Sequence, residues 1–440
     1  RLEFFLAYIG VLAVAFVVSL CATPVMRWLA IQNGVVDRPD TRKVHRVPVA
    51  YLGGVAVFVG IVAGVAYSYA ATIYPQLGLI EFSVAPGSMR TPEPVPISVL
   101  LGMTVIMLLG LIDDVVGIEP RLKIAGQLFA AAALAVQDVG VKVAAGVVLP
   151  VAEWFGLSTV EIGGQETLGC IFDLGREWPL VGQAMTIDIV YWIGTAVIAI
   201  AVLGASNASN LIDGLDGLLT GVTGICVAGL LVVALGMAVL EDGPRDGQRI
   251  VICMAVLGAC LGFLPHNFNP ASIFLGDCGS MLLGFMTIVI VLSLGDTGKT
   301  ALVNAGMTMY AIPEIDTVLA IVRRKLAGKR MSDPDADHLH HMLKRSLGVK
   351  GAVLSLYGIG LAFAATGVLM TLGRARITYV FAIVFISYIG VTAIKLARKR
   401  QRELAGLPQT SGPARPTPEA AGKTAAANPA PRPDASSEAI

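Results

Sequence analysis

Charge is scarce in this chain. Only 14% of its 440 residues are Asp, Glu, Lys or Arg, against roughly 25% in soluble domains, and the mean hydropathy is +0.75. That deficit excludes an ordinary soluble domain. A formal net charge of +1 excludes a nucleic-acid partner held by bulk electrostatics. The six cysteines, Cys21, Cys170, Cys226, Cys253, Cys260 and Cys278, form no CxxC pair. They read as packing thiols inside apolar runs, which leaves out a disulfide framework or a zinc site. No internal repeat is detectable. A cleavable leader is not expected either, because the apolar run from Glu3 to Leu29 exceeds the roughly 7–15 residues of a signal core.

What the chain has instead is long apolar runs. A hydrocarbon core needs roughly 20 apolar residues per helix. Eleven spans meet that pattern, at about 3–29, 50–73, 97–112, 121–137, 189–206, 217–240, 249–264, 273–294, 300–322, 353–372 and 376–397. Several spans are short or interrupted by Gly and Pro, which allows a count of ten. The expected fold is an all-α polytopic integral membrane protein, its transmembrane domain occupying residues 1–402. Lys and Arg near span ends mark the cytoplasmic side. With the N-terminus outside, one set of connections carries 20 of them and the other 8, so the N-terminus is extracytoplasmic and the C-terminus cytoplasmic. Residues 138–187 form an extracytoplasmic insertion, read as a hairpin or an interfacial helix. Residues 403–440 are rich in Pro, Ala, Ser and Thr and lack large apolar residues, so a disordered cytoplasmic tail is expected.

Polar residues gather in five clusters: 37–54, 113–127, 207–217, 266–280 and 333–345. All five fall on the cytoplasmic side of a topology drawn from Lys and Arg alone. Asp113 and Asp114 sit at the end of an apolar span, where their repulsion calls for a cation or a metal-bridged phosphate. Asn207, Asn210, Asp213 and Asp216 offer a polar edge suited to sugar hydroxyls or a uracil. Gly214 and Gly217 permit close approach of backbone to a ligand. Asp277 lies between Gly276 and Gly279, and hard oxygen ligands of this kind suit Mg²⁺ with substrate phosphates. Phe274 is placed to stack on a base. His338, His340 and His341, with Lys344 and Arg345, read as a phosphate contact rather than a compact zinc site. The run Ser293–Thr300 ends like a phosphate-binding P-loop, but its first glycine is replaced by Ser293 and no strand precedes it, so it is discarded.

Taken in order, Asp-Asp-x-x-Gly (113–117), Asn-x-x-Asn-x-x-Asp-Gly-Leu-Asp-Gly-Leu (207–218), Phe-x-Gly-Asp-x-Gly-Ser (274–280) and His-x-His-His (338–341) resemble the polyprenyl-phosphate N-acetylhexosamine-1-phosphate transferases, glycosyltransferase family 4. The likeness covers about residues 20–400. Asp337-His338-Leu-His340-His341 is similar to the WecA/TagO branch, which uses UDP-N-acetylglucosamine, more than to the MraY type with three consecutive histidines. Arg42-Lys43-x-His45 and Pro313-x-x-Asp316-Thr317 point the same way.

The resemblance implies a magnesium-dependent enzyme of a bacterial inner membrane, active at the cytoplasmic face, with Mn²⁺ as a substitute ion. Its partners would be UDP-N-acetylglucosamine, an undecaprenyl or decaprenyl phosphate, membrane lipid and a second copy in a homodimer. It further implies Asp277 and Asp114 at the metal and Asp113 and Asp114 on the lipid phosphate. Asn207, Asn210, Asp213, Asp216 and Phe274 would line the nucleotide-sugar pocket, His338, His340 and His341 would cover the pyrophosphate, and Lys43 and His45 would close the rim. A phosphate with second pKa near 6 is already ionised, so positioning is favoured over strong base catalysis. The alternatives are specificity for a muramoyl-pentapeptide donor and, in another class, a secondary transporter. A transporter would place its site at the membrane midplane and show repeats.

Overall fold

The computed structural model describes residues 2–37, 48–74, 95–156, 159–162, 165–178, 182–240, 246–296, 298–326 and 338–373, with isolated positions up to 391. Contacts divide the chain into a unit of residues 1–390 and a unit of residues 391–440. The expected tail and most of the eleventh span, 376–397, lie outside the described residues.

Twelve α-helices dominate the described residues. They are α1 (Leu2–Gln32), α2 (Gly53–Ile73), α3 (Ile97–Val116), α4 (Pro120–Val136), α5 (Ala145–Trp154) and α6 (Ile189–Ile212), followed by α7 (Leu218–Val239), α8 (Asp246–Asn267), α9 (Gly276–Ser293), α10 (Thr300–Met309), α11 (Ala311–Leu326) and α12 (Leu339–Leu372). Eight are long and apolar enough to cross a membrane, or ten if each of two bent pairs counts as one span. The protein is a polytopic membrane protein. Val17, Trp28, Leu108, Ile200 and Leu361 stand exposed, as side chains facing hydrocarbon would. Cys226, Cys253, Cys260 and Cys278 are buried and Cys21 is exposed.

Two runs read as single spans or loops are bent. The run 300–322 turns by 78° between α10 and α11. Pro313 has no N–H to return to the Met309 carbonyl, so the first helix stops and a second starts with proline in its opening turn, where proline is tolerated. At the other bend, α4 meets the segment Val141–Trp154 at 83°, through Asp138 and Gly140 with positive φ. The insertion that follows holds two antiparallel hairpins, β3 (Val160–Ile162) with β4 (Gln165–Thr167) and β5 (Gly169–Trp178) with β6 (Gly182–Asp188). Helix α5 precedes these hairpins within residues 138–187. The Asp188 carboxylate accepts the Tyr191 N–H at 2.9 Å and caps α6.

Helix α9 runs through the centre, with nearly every residue buried, and α2, α3, α6, α7 and α8 pack on it. Its N-terminal end is gripped tightly. A Cβ on Gly54 would lie 2.1 Å from the Gly279 nitrogen, and one on Gly110 would lie 2.4 Å from the Cys278 Cα. Small residues let membrane helices meet backbone to backbone. The two-residue strands β1 (Val36–Asp37) and β2 (Val49–Ala50) pair antiparallel. Ala50 also bridges to Ile273, and the Gly53 and Gly54 amides donate to the carbonyls of Phe274 and Leu275. The start of α2 is thereby tied to the turn that leads into α9.

Candidate active site

That turn organises a polar end of the bundle. It collects the C-terminal ends of α3, α6 and α8 and the N-terminal ends of α4, α7, α9 and α12. Helix N-termini leave backbone N–H groups without partners, and Asp114, at the end of α3, supplies two. Its Oδ1 accepts the Asp277 N–H at 2.8 Å and its Oδ2 the Cys278 N–H at 3.0 Å. Gly276, at φ +74°, makes the turn, and a Cβ there would fall 2.6 Å from Asp114 Oδ2. The glycine is thus required on both conformational and steric grounds.

Asp113 points to a different partner. Its Oδ1 accepts the Ile118 N–H at 2.9 Å, and its Oδ2 lies 2.5 Å from Lys123 Nζ. The same ammonium lies 2.6 Å from Asp277 Oδ2. One lysine therefore bridges two carboxylates from α3 and α9. Asn210 also borders this cluster, with its Nδ2 buried and without a hydrogen-bond partner.

The segment between α6 and α7 closes the next side. Asp216 Oδ2 accepts from Asn269 Nδ2 at 2.8 Å and from the Ala271 N–H at 3.0 Å. Asn267 is buried and fixed by Thr220 Oγ1 at 2.9 Å and by the Ile273 carbonyl at 3.1 Å. Asp213 keeps part of its surface open. Burial, and then the negative charges of Asp277, Asp114 and Asp216, push its carboxyl up to about 8. Phe274 packs edge-on against Tyr51 with centroids 5.9 Å apart. The histidines come from α12: a Cβ on Gly214 would sit 2.5 Å from His340 Nε2, so this ring lies directly on the Asn210–Asp216 segment.

The expected residues therefore meet, with distinctions. Asp113, Asp114 and Asp277 form one cluster, and Asn210, Asp213 and Asp216 border it. His338, His340 and His341 gather into a ring cluster, His340 and His341 with centroids 4.2 Å apart. Asn207 lies deeper in α6, where its Nδ2 donates to Gln127 Oε1 at 2.9 Å and to the Leu203 carbonyl at 2.8 Å. Lys43, His45 and Asp337 lie outside the described residues. Two participants were missed. Lys123 counted only as a topology-marking charge, although a lysine in the first turn of an apolar helix two turns beyond an Asp pair was a usable signal. Asp316 was noted for its motif and given no role. It touches His338 across 22 residues of sequence, which no local window reveals.

Two groups of side chains have ligand chemistry for a metal. Asp113 and Asp277 with Asn210 offer hard oxygen donors of the type Mg²⁺ takes, and the orphaned Asn210 Nδ2 fits a donor aimed at an anionic ligand. Asp316, His338 and His340 bring three buried ligand atoms within 4.8 Å of one another.

Carboxylates, amides and imidazoles thus gather at one end of a helical membrane bundle. Residues 96–295 match the model for glycosyl transferase family 4. The chain is 32% identical to a decaprenyl-phosphate N-acetylglucosaminephosphotransferase of Mycolicibacterium smegmatis, over 90% of this chain and 89% of that one. It is 29% identical to a probable undecaprenyl-phosphate N-acetylglucosaminyl 1-phosphate transferase of Bacillus subtilis, over 87% and 91%. A phospho-N-acetylmuramoyl-pentapeptide-transferase of Moorella thermoacetica is 29% identical over only 66% of this chain and 81% of its own. The protein belongs to glycosyl transferase family 4, in the group of polyprenyl-phosphate N-acetylglucosamine-1-phosphate transferases.

Proposed function

We propose that the protein transfers N-acetylglucosamine 1-phosphate from UDP-N-acetylglucosamine to a polyprenyl phosphate, giving polyprenyl-pyrophosphoryl-N-acetylglucosamine and UMP. The observation that carries this reading is the meeting of the Asp113–Asp114 and Asp277 motifs at Lys123, with the His340 ring lying on the neighbouring Asn210–Asp216 segment. Such a cluster suits two phosphates, which repel each other and must be neutralised and aligned before they react.

Asp277 and Asp113 are the residues we assign to a divalent cation, Mg²⁺ with Mn²⁺ as its substitute. When bound, such an ion neutralises pyrophosphate charge and eases departure of UMP. Asp114, with both oxygens on backbone amides, holds the Asp277 turn in place and joins the metal only through its remaining lone pairs. Lys123 presents an ammonium to the phosphates. Asn210, Asp213, Asp216 and Phe274 hold the nucleotide sugar, and Asn207 braces α6 behind them. His338, His340 and His341 contact the pyrophosphate, and Lys43 and His45 complete the rim. An oxygen of the lipid phosphate bonds to the sugar-bearing phosphorus as the bond from that phosphorus to the UMP oxygen breaks. The lipid phosphate is already ionised at neutral pH, so alignment contributes more than proton removal.

The asymmetry of Lys and Arg supports a cytoplasmic site, an extracytoplasmic N-terminus and residence in a bacterial inner membrane. Residues 1–402 act as the transferase domain and 403–440 as an appended tail.

Release of UMP from UDP-N-acetylglucosamine by the purified protein with polyprenyl phosphate tests the reading. The wild-type chain should release UMP only with the lipid acceptor and a divalent ion, and Asp277→Asn should not. Comparable turnover by Asp277→Asn would remove that residue from the metal role.

A further inference from the structure

One carboxylate outside that cluster touches two of the histidines that open α12. Asp316 lies on α11, is 1% exposed, and faces the N-terminus of α12. Its Oδ1 accepts the Leu339 N–H at 2.8 Å, satisfying one of the orphan amides that open a helix. Its Oδ2 lies 3.0 Å from Nδ1 of His338. The same oxygen is 3.5 Å from Nδ1 of His340, a buried atom with no hydrogen-bond partner of its own. The His338 and His340 rings stack, with centroids 5.4 Å apart and planes 19° apart.

Burying a carboxylate costs free energy unless it is paired. The cost is offset here by an amide, an imidazole and the positive end of a helix. The pairing has a chemical result. An imidazole whose Nδ1 faces a carboxylate keeps its proton on Nδ1, which leaves the lone pair on Nε2. Asp316 also fixes where α12 begins, and therefore where the His340 ring meets Gly214, next to Asp213 in the nucleotide-sugar segment.

We infer that Asp316 is a positioning residue of the transfer site: it fixes the His338 tautomer and sets the histidine cluster against the Asn210–Asp216 segment. The kinetic part of this inference rests on the proposed transferase reaction, whereas the tautomer does not. The three ligand atoms satisfy the distance condition for a transition metal. A direct contact of 3.0 Å between Asp316 and His338, with the other oxygen on the Leu339 amide, instead describes a carboxylate already used as a hydrogen-bond acceptor.

The full chain has five histidines, few enough for ¹⁵N spectra of the histidine-labelled protein. A hydrogen-bonded Nδ1–H tautomer should be present and should vanish in His338→Gln. It should be lost in Asp316→Asn and kept in Asp316→Glu. In UMP release, Asp316→Asn should lower kcat about 10–100-fold, as loss of an outer partner does, with KM for UDP-N-acetylglucosamine changed less than about threefold. Asp316→Asn combined with His338→Gln should be no slower than His338→Gln alone, because residues acting as a unit are not additive. Additive losses, or an Nε2–H tautomer at His338 in the wild-type chain, would overturn the inference. So would one equivalent of zinc that leaves with Asp316→Asn. The wild-type spectrum decides even if Asp316→Asn does not fold. A wild-type chain that shows the tautomer but releases no UMP would defeat the transferase reading alone.

Discussion

Lys123 holds two carboxylates that would otherwise repel each other, at 2.5 Å from Asp113 and 2.6 Å from Asp277. Without its charge, both the approach of phosphate and the geometry of the Asp pair suffer. Lys123→Met should slow UMP release about 10²–10³-fold, the size seen when one preorganised electrostatic partner is removed, and Lys123→Arg should recover part of it. Initial rates with both substrates saturating check this, and a Lys123→Met rate near wild type would exclude the residue from the reaction. Asp213 adds a dependence on pH. Its carboxyl is raised to about 8 by burial and by Asp277, Asp114 and Asp216, whereas in the unfolded chain it titrates near 3.9. Between these values the folded state holds a proton that the unfolded state has lost, so its contribution to stability falls as pH rises from about 4 through 8. Thermal unfolding in detergent from pH 6 to 8.5 should therefore show a falling Tm, with a shallower fall in Asp213→Asn. Identical slopes would contradict this charge environment.

Helix α9 depends on its glycine neighbours. Gly110→Ala would push a methyl to within 2.4 Å of the Cys278 Cα, and overpacking of this kind costs about 1–3 kcal/mol. Gly204, on α6, meets nothing within 4 Å, so Gly204→Ala should leave Tm and activity unchanged while Gly110→Ala lowers both. Equal behaviour of the two variants would contradict the close approach. Hydropathy located these helices well because a lipid-facing or buried helix must be apolar along its length. It did not locate the bends at Met309–Ala311 and Asp138–Gly140, because composition is blind to where an axis turns. Pro313 was visible but read as part of a motif. The Asp pair, the Asn–Asp segment and Asp277 could be read from sequence because their types and spacing are unusual in apolar surroundings. Asp316 could not, because its meaning lies in a partner 22 residues away, and the position of Lys123 signalled the nearby Asp pair but not Asp277, 154 residues away.

The bundle gathers its polar motifs at one end, which in the proposed reaction suits a water-soluble donor and an acceptor that stays in the bilayer. Residues 406–440 have little large apolar side chain to bury. Their deletion should change the rate of UMP release by less than about tenfold, equivalent to roughly 1.4 kcal/mol in barrier height, and a larger loss would give the tail a role in catalysis. In the proposed reaction phosphorus moves together with the sugar. UDP-N-acetylglucosamine labelled with ³²P only in its β-phosphate tests it directly, with polyprenyl phosphate and Mg²⁺ present. The label should pass into the organic-extractable lipid in step with the release of unlabelled UMP. Label remaining in UDP while sugar alone reaches the lipid would contradict it.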